Sequence, residues 1–290
     1  MASMRDIKRR RQSVTSTQKI TKAMKLVSTV KLQKAKQRAE NTDPYFNYMY
    51  NTVCSMLEKA GNINHPYLKA GETEKKAVIV ISSNRGLAGG YNSNVVKVVT
   101  GSELKPEDVK LYTIGKKAHD LLEHKGYEVV SEHDDVMEAP TYDDAMEICN
   151  EVLDAYASGE VGEIYLVYTH FKNTVSHDPK MLRLLPVDVT ENEREGDAEE
   201  SKDSKMLMNF EPEPEEALDM IIPKYITSLV YGGLVEAVAS ENGARMQAMD
   251  SATSNAEDII SDLTLKYNRA RQGSITQELT EIIAGAEAIS

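Results

Sequence analysis

The stretch Ala252-Thr-Ser-Asn-Ala256-Glu-Asp-Ile259-Ile-Ser-Asp-Leu263-Thr-Leu-Lys-Tyr267-Asn-Arg-Ala270 decides the architecture. Its apolar positions advance by 4, 3, 4, 4 and 3, the spacing of one face of an α-helix. Ile275, Leu279, Ile282, Ala286 and Ile289 continue by 4, 3, 4 and 3 after a step of five across Gly273, which rotates the stripe without ending it. Pro212, Pro214 and Pro223 sit upstream, where proline is tolerated at a helix start or kinks the helix. A continuous helix from Glu215 to Ile289 is about 110 Å long at about 1.5 Å per residue. No compact domain of this size holds that length internally, so the helix must project and pack on something.

The first candidate for that partner is the other end of the chain. From Ser3 to about Leu57 there is no glycine, and the only proline is Pro44, so a second long helix with one interruption is expected. Ile20, Met24, Val27 and Val30 or Lys31 follow steps of 4 and 3, a narrow apolar seam of the kind found in coiled coils. A whole domain separates the two helices, so they are expected to pair antiparallel. Between them Ala77–Ser82, Val109–Ile114 and Glu163–Tyr168 read as buried strands, with helices at 91–99, 115–124 and 141–157. That alternation implies βαβ units and a largely parallel sheet. The expected plan is an antiparallel two-helix coiled coil with a central Rossmann-like α/β domain. Its segments are a coiled-coil helix over 1–58, the α/β domain over 72–187, an acidic loop over 188–214 and the second coiled-coil helix over 215–290.

Charge divides the chain sharply. The formal total over 290 residues is −12, yet residues 1–40 carry twelve Lys and Arg against Asp6 and Glu40, or +10, which leaves −22 for the remainder. A basic head of this kind points to an acidic partner: nucleic acid, anionic lipid or protein. Residues 186–217 carry twelve acids against three bases and read as a solvated hairpin or loop. Composition excludes other classes. No stretch approaches 18 apolar residues, so no membrane span is expected. The basic start has no apolar block behind it, unlike a secretory signal. Cys54 and Cys149 have neither CxxC nor zinc spacing and read as buried thiols in a reducing compartment.

Few motifs promise chemistry. Ser82-Ser-Asn-Arg85-Gly86-Leu-Ala-Gly89-Gly90 follows a strand and precedes a helix, where glycines allow backbone N–H groups to cradle an anion. The spacing is neither GxGxxG nor GxxxxGK[ST], so a tight strand-to-helix turn presenting Arg85 is the plainer reading. His65, His119, His124, His133, His170 and His177 show no paired metal spacing, and His133-Asp134-Asp135 reads as a solvated turn. Asp143-Asp144 opens a predicted helix, where acids favour the macrodipole. No metal, no cofactor and no catalytic set is expected on this chain. A basic helix in a DNA major groove would need heptads after the basic region, whereas here seam and basic residues overlap.

Four blocks carry a family resemblance. Ile275-Thr-Gln-Glu-Leu-Thr-Glu-Ile-Ile-Ala-Gly-Ala-Glu-Ala288 fits the signature [IV]TxExx[DE]xxxGAx[SAKR] of the γ subunit of F-type ATP synthase at every specified position. Gln18-Lys-Ile-Thr-Lys-Ala-Met-Lys-Leu-Val-Ser28 resembles the family's other hallmark, and Arg245–Asp250 and Tyr267–Gln272 also look like the family. Asn84 and Ala88 depart from the family's SDRGLCG, and Lys25 stands where an acid is common in bacterial relatives. The cysteine-bearing insertion of the chloroplast form is missing, and the start of the chain is similar to bacterial versions.

The resemblance implies a central-stalk rotor of the proton-translocating enzyme, lying at the cytoplasmic face of a bacterial plasma membrane. Its partners would be the α and β subunits, the ε subunit and the membrane c-ring, with magnesium and ATP or ADP bound on the β subunits. Arg271 and Gln272 match positions that hydrogen-bond a β-subunit loop. Lys22, Met24 and Lys25 would face the acidic β lever, with Arg85 a further candidate. Ile275, Leu279, Ile282, Ala286 and Ile289 would form an apolar bearing tip. Two other classes make different demands: a DNA-binding helical protein would show steeply salt-dependent duplex binding, and a nucleotide-binding α/β enzyme would bind ATP alone.

Overall fold

The computed structural model describes residues 4–60, 65–174, 176–187 and 214–287. The expected acidic loop therefore lies, apart from Pro214, outside the described residues, as does Ile289. The chain forms two compact units: Val30–Ala244, and Met1–Thr29 together with Arg245–Ser290. Two helices, α1 (Met4–Ala60) and α5 (Pro214–Glu287), contribute to both units.

The unit Val30–Ala244 is built on a five-stranded sheet of β1 (Lys76–Ile81), β2 (Val109–Ile114), β3 (Glu128–His133), β4 (Glu163–Phe171) and β5 (His177–Leu185). The order is β3-β2-β1-β4-β5, with the first four strands parallel and β5 antiparallel to β4. β1 is central, and its alternate side chains feed two cores. Ala77, Ile79 and Ile81 join one; Val78 and Val80 join the other. Such two-faced burial explains its unbroken apolar run.

Against the Val78 face lie α2 (Tyr91–Gly101), through Val95, Val96 and Val99, and α3 (Lys116–Glu123), through Ala118 and Leu122. The opposite face is covered by α4 (Tyr142–Ala157), by Phe46, Val53 and Met56 of α1, and by Leu218 to Ala237 of α5. Each fully buried aliphatic side chain contributes about 1.5–3 kcal/mol relative to exposure. The acids Asp143 and Asp144 do open α4. Thr141 accepts a hydrogen bond from the Asp144 backbone N–H at 3.2 Å, and the Asp144 carboxylate accepts from the Thr141 N–H at 2.8 Å.

Two strands escape the sequence pattern. β3 buries only alternate positions and no side chain fully, and β5 contains Pro179 and several charges, which an edge strand tolerates. The interruption expected at Pro44 is absent, because α1 runs through it. The hydrogen bond that proline forfeits is offset by the burial of Phe46, Val53 and Met56 beyond it. Similarly, α5 runs through Pro223. The membrane expectation needs correction too. One helix, α5, does contain an 18-residue window apolar enough by length and composition to span a bilayer. That window is 67% buried inside the protein, the signature of a core helix.

In the unit Met1–Thr29 with Arg245–Ser290, α1 and α5 lie antiparallel. As the α1 number falls through Lys25, Thr21 and Gln18, the partner on α5 rises through Asp250, Thr253 and Glu257. Covered positions on α1 include Met4, Ile7, Arg11, Val14, Gln18, Thr21, Lys25 and Ser28, spaced alternately by 3 and 4, with Thr15, Met24 and Thr29 flanking that line. On α5 the corresponding line is Met249, Thr253, Ala256, Ile260, Leu263, Tyr267, Ala270 and Ser274, with the same alternation, flanked by Ala252 and Thr264. This seven-residue repeat is a coiled-coil seam. It matches the expected one only in part: Met24 on α1 and Ala252, Ala256, Leu263, Tyr267 and Ala270 on α5 are covered, but three α1 positions and Ile259 are not. Ile20 and Val27 are 60% and 57% exposed and point away from α5; Val30, in the other unit, is also exposed. On α5, Ile259 is exposed while Ile260 takes the seam.

The centre of the seam is polar, with Thr21 Oγ1 and Thr253 Oγ1 2.8 Å apart. We predict that Thr21→Val alone costs up to about 1 kcal/mol by leaving the facing hydroxyl with one partner fewer. Thr21→Val with Thr253→Val should recover the loss to within about 0.5 kcal/mol. Thermal unfolding of the two single variants and the double variant measures this coupling.

Candidate partner-contact surfaces

The loop Ser82–Gly90 leaves the carboxyl end of β1, beside the point where the chain switches from the β1-β2-β3 half of the sheet to β4. In open α/β sheets that switch point is the ligand crevice. Here α5 occupies it. Gly233 is so close to the sheet that an added Cβ would meet Leu166 Cδ2 at 3.2 Å, Tyr168 Cγ at 3.5 Å and Ile81 Cδ1 at 3.6 Å. The Tyr91 hydroxyl donates to Ala237 O at 3.3 Å, and Ser240 Oγ donates to Thr169 O at 3.1 Å.

The loop's own polar groups are spent on the fold. Ser82 Oγ donates to Gly115 O at 2.9 Å and accepts from the Ala118 N–H at 2.8 Å. Asn92 Oδ1 accepts from the Ser83 N–H at 3.0 Å. Asn84, a departure from the family pattern, bridges two elements: its Nδ2 donates to Asp134 O at 2.6 Å, and its Oδ1 accepts from the Lys116 N–H at 3.1 Å. Ala88 is buried at 2% exposure, where the family's thiol would stand. Leu87 and Gly89 take positive φ of 64° and 58° to turn the chain into α2. A tight turn presenting a cation is what the geometry builds, with the Arg85 side chain 85% exposed and 3.9 Å from Glu138.

The remaining contact candidates all lie in the helix-pair unit. Lys22 is exposed on α1, and Met24 is partly covered. Lys25 is engaged within the pair: its Nζ donates to Asp250 Oδ1 at 2.5 Å. Both side chains are largely solvated, at 39% and 61% exposure, so this link is worth less than about 1 kcal/mol. Arg11 stacks over the Tyr267 ring at 5.4 Å, tying the first turns of α1 to α5. Arg271 and Gln272 are exposed, and every described side chain from Ile275 to Ala286 is exposed as well. Ile275 (47%), Leu279, Ile282 and Ile283 (59%) thus form an apolar stretch of α5 that α1 does not cover.

Elsewhere the chemistry is quiet. No cluster of three metal-ligating side chains occurs among the described residues. Burial pushes the Cys149 thiol up to about 12, which leaves it an inert core group. Ser131, His133 and Glu151 do converge, with Ser131 Oγ 2.8 Å from both His133 Nε2 and Glu151 Oε2. The same ring nitrogen faces both oxygens, whereas a nucleophile triad requires opposite ring nitrogens.

The family model for ATP synthase matches residues 3–289. The ATP synthase gamma chain of Lachnoclostridium phytofermentans is 64% identical over 291 residues, covering 100% of both chains. The chain belongs to the ATP synthase gamma-chain family. A solved structure of the Tetrahymena thermophila mitochondrial ATP synthase central stalk and c-ring contains a chain 27% identical to it. That match covers 80% of this chain and 99% of the other, with a TM-score of 0.60. A chain of the Euglena gracilis mitochondrial ATP synthase shares the fold at 20% identity and TM-score 0.70, over 99% of this chain and 94% of the other.

Sequence reasoning missed the polar seam residues Gln18, Thr21 and Ser28, and the exposed Asp250 and Glu257 that hydrogen-bond across the pair. The signal was present: the covered set is heptad-spaced once polar residues are admitted. The turn at Gly115 is a further unread constraint, with φ of 91° and a built Cβ only 2.4 Å from Ser82 O. Gly115→Ala should therefore cost about 2–3 kcal/mol. Urea unfolding would register this as a lower midpoint with an unchanged slope.

Proposed function

We propose that this chain is the rotor of an ATP synthase central stalk. The observation that carries the reading is the helix pair: two antiparallel helices, an outward face that is basic and apolar, and an uncovered apolar end. Family membership supplies the setting. In that setting a ring of membrane c subunits turns the chain, and the chain turns inside a ring of α and β subunits, with ε beside it. The complex is membrane-associated, and its location is proposed as the cytoplasmic face of a bacterial plasma membrane.

The mechanism needs no reactive group on this chain. Magnesium with ATP or ADP is proposed to bind only to the partner β subunits, and catalysis occurs there. An asymmetric shaft meets three chemically equivalent sites with three different faces. It biases their conformations by whatever differential contact energy each face supplies. Lys22 and Met24 present a cation and a soft apolar group from α1, and Arg271 and Gln272 present donors from α5. All four are proposed to meet β. Lys25 contributes while held by Asp250, and Arg85 acts from the α/β unit.

Ile275, Leu279, Ile282, Ala286 and Ile289 are assigned the bearing, because small and aliphatic side chains make few directional bonds that would lock one orientation. The crevice filled by α5 and the internally bonded Ser82–Gly90 loop favour this reading over a nucleotide-binding enzyme. A seam that consumes part of the basic face disfavours a nucleic-acid binder.

In assembled complex in membrane vesicles, Arg271→Ala should slow ATP-driven ion pumping about tenfold, the worth of one charge-assisted hydrogen bond. Lys22→Glu should uncouple hydrolysis from pumping. Wild-type pumping and hydrolysis in both variants would contradict the assigned contacts.

A further inference from the structure

The end of the β4–β5 hairpin meets α5 through two histidines in opposite circumstances. His170 Nδ1 donates to Glu236 Oε2 at 2.5 Å, and the same oxygen accepts from the Phe171 N–H at 3.3 Å. That contact is charge-assisted and fully used. His177 pairs with Phe171 across the hairpin, their ring centroids 6.0 Å apart. Both of its ring nitrogens are shut off from solvent without a hydrogen-bond partner.

The ring of His177 sits on Gly243 of α5. A Cβ at that position would lie 2.7 Å from His177 Cε1, 3.2 Å from Nε2 and 3.7 Å from Phe171 Cε2. Only a glycine lets the imidazole lie flush against the helix.

The charged groups on the elements packed here, Arg245 of α5 among them, have partners of their own. On α5, Glu236 is held by His170, and Glu241 is buried at 8% exposure with interactions of its own. On α1, Lys36 lies over the Phe171 ring at 5.9 Å. On the hairpin itself, Asp178 pairs with Lys172 at 3.6 Å. Burial alone holds the His177 ring below its ordinary value of 6.5, with no charge compensating.

We propose that His177 seated on Gly243 is a pH-sensitive latch: neutral, it closes the hairpin end onto α5, and protonated, it opens it. An imidazolium there would have neither a carboxylate nor solvent at its nitrogens, so proton uptake requires the ring to leave its seat. The closed latch is fully stable above pH 6.5 and weakens as pH falls through that value towards the lower folded-state one. Replacing His177 and Glu236 separately tells the two histidines apart.

Hydrogen exchange of the full-length chain tests the latch through the amides of His170, Phe171, His177 and Asp178, corrected for intrinsic pH dependence. Opening should rise about fivefold or more from pH 7.5 to 5.5 in the wild type. His177→Phe, or His177→Leu if the larger ring does not fit, should abolish the step. Gly243→Ala should raise opening already at pH 7.5. A wild type without the step, or a step that survives His177 replacement, would overturn the latch. A step removed by Glu236→Gln but not by His177→Phe would assign the response to the other pair and overturn it equally.

Discussion

Everything in this molecule is organised by the demand that α5 be buried in one part of its length and exposed in another. From Leu218 to Gly243 the helix is covered on nearly every side, and polar residues such as Ser240, Glu241 and Asn242 are buried with it. From Met249 to Ser274 the helix is covered along one side only, and from Ile275 none of the described side chains is. One helix therefore serves as the core of an α/β unit, half of a coiled coil and an uncovered apolar end. The price is paid in sequence composition: small residues where the sheet is close, polar residues along the seam, and aliphatics at the end.

The polar seam follows from physical needs. An apolar seam of the same length would be more stable, since Val and Leu at covered positions gain burial that Thr, Ser and Gln do not. Hydrogen-bonded pairs such as Thr21–Thr253 and Gln18–Glu257 give less energy but fix one register, because a slipped pairing leaves them unmatched. The aliphatic residues that a seam would normally use, Ile20, Leu26 and Val27, are displaced to the outward face. They leave apolar groups among the lysines there, a surface suited to a partner that is apolar and acidic.

That displacement is also why the seam was misread. Periodicity analysis weights apolar residues, so it chose Ile20 and Val27, each one residue away from the contact line, along with Met24, which is partly covered. The α5 stripe was largely legible, because Ala256, Leu263, Tyr267 and Ala270 are both apolar and covered. The parallel strands β1, β2 and β4 were legible for the same reason, being buried apolar runs. β3 and β5 were not, because edge strands tolerate charges and Pro179, and their pairing depends on backbone groups that composition does not reveal. The Ser82–Gly90 loop was legible as a turn. Its bonding to the β2–α3 junction through Ser82 and Asn84 was not, because that depends on residues about thirty positions away.

The central claim is that this chain turns as a shaft while catalysis proceeds around it. The most direct measurement fixes the surrounding catalytic ring to a surface and follows a bead on a cysteine introduced at exposed Glu107, with Cys54→Ser to remove competing labelling. On ATP addition the account predicts rotation in one direction, in steps of about 120° as a three-fold ring demands. A bead that stays still, or wanders in both directions, while ATP is hydrolysed at the full rate would contradict it.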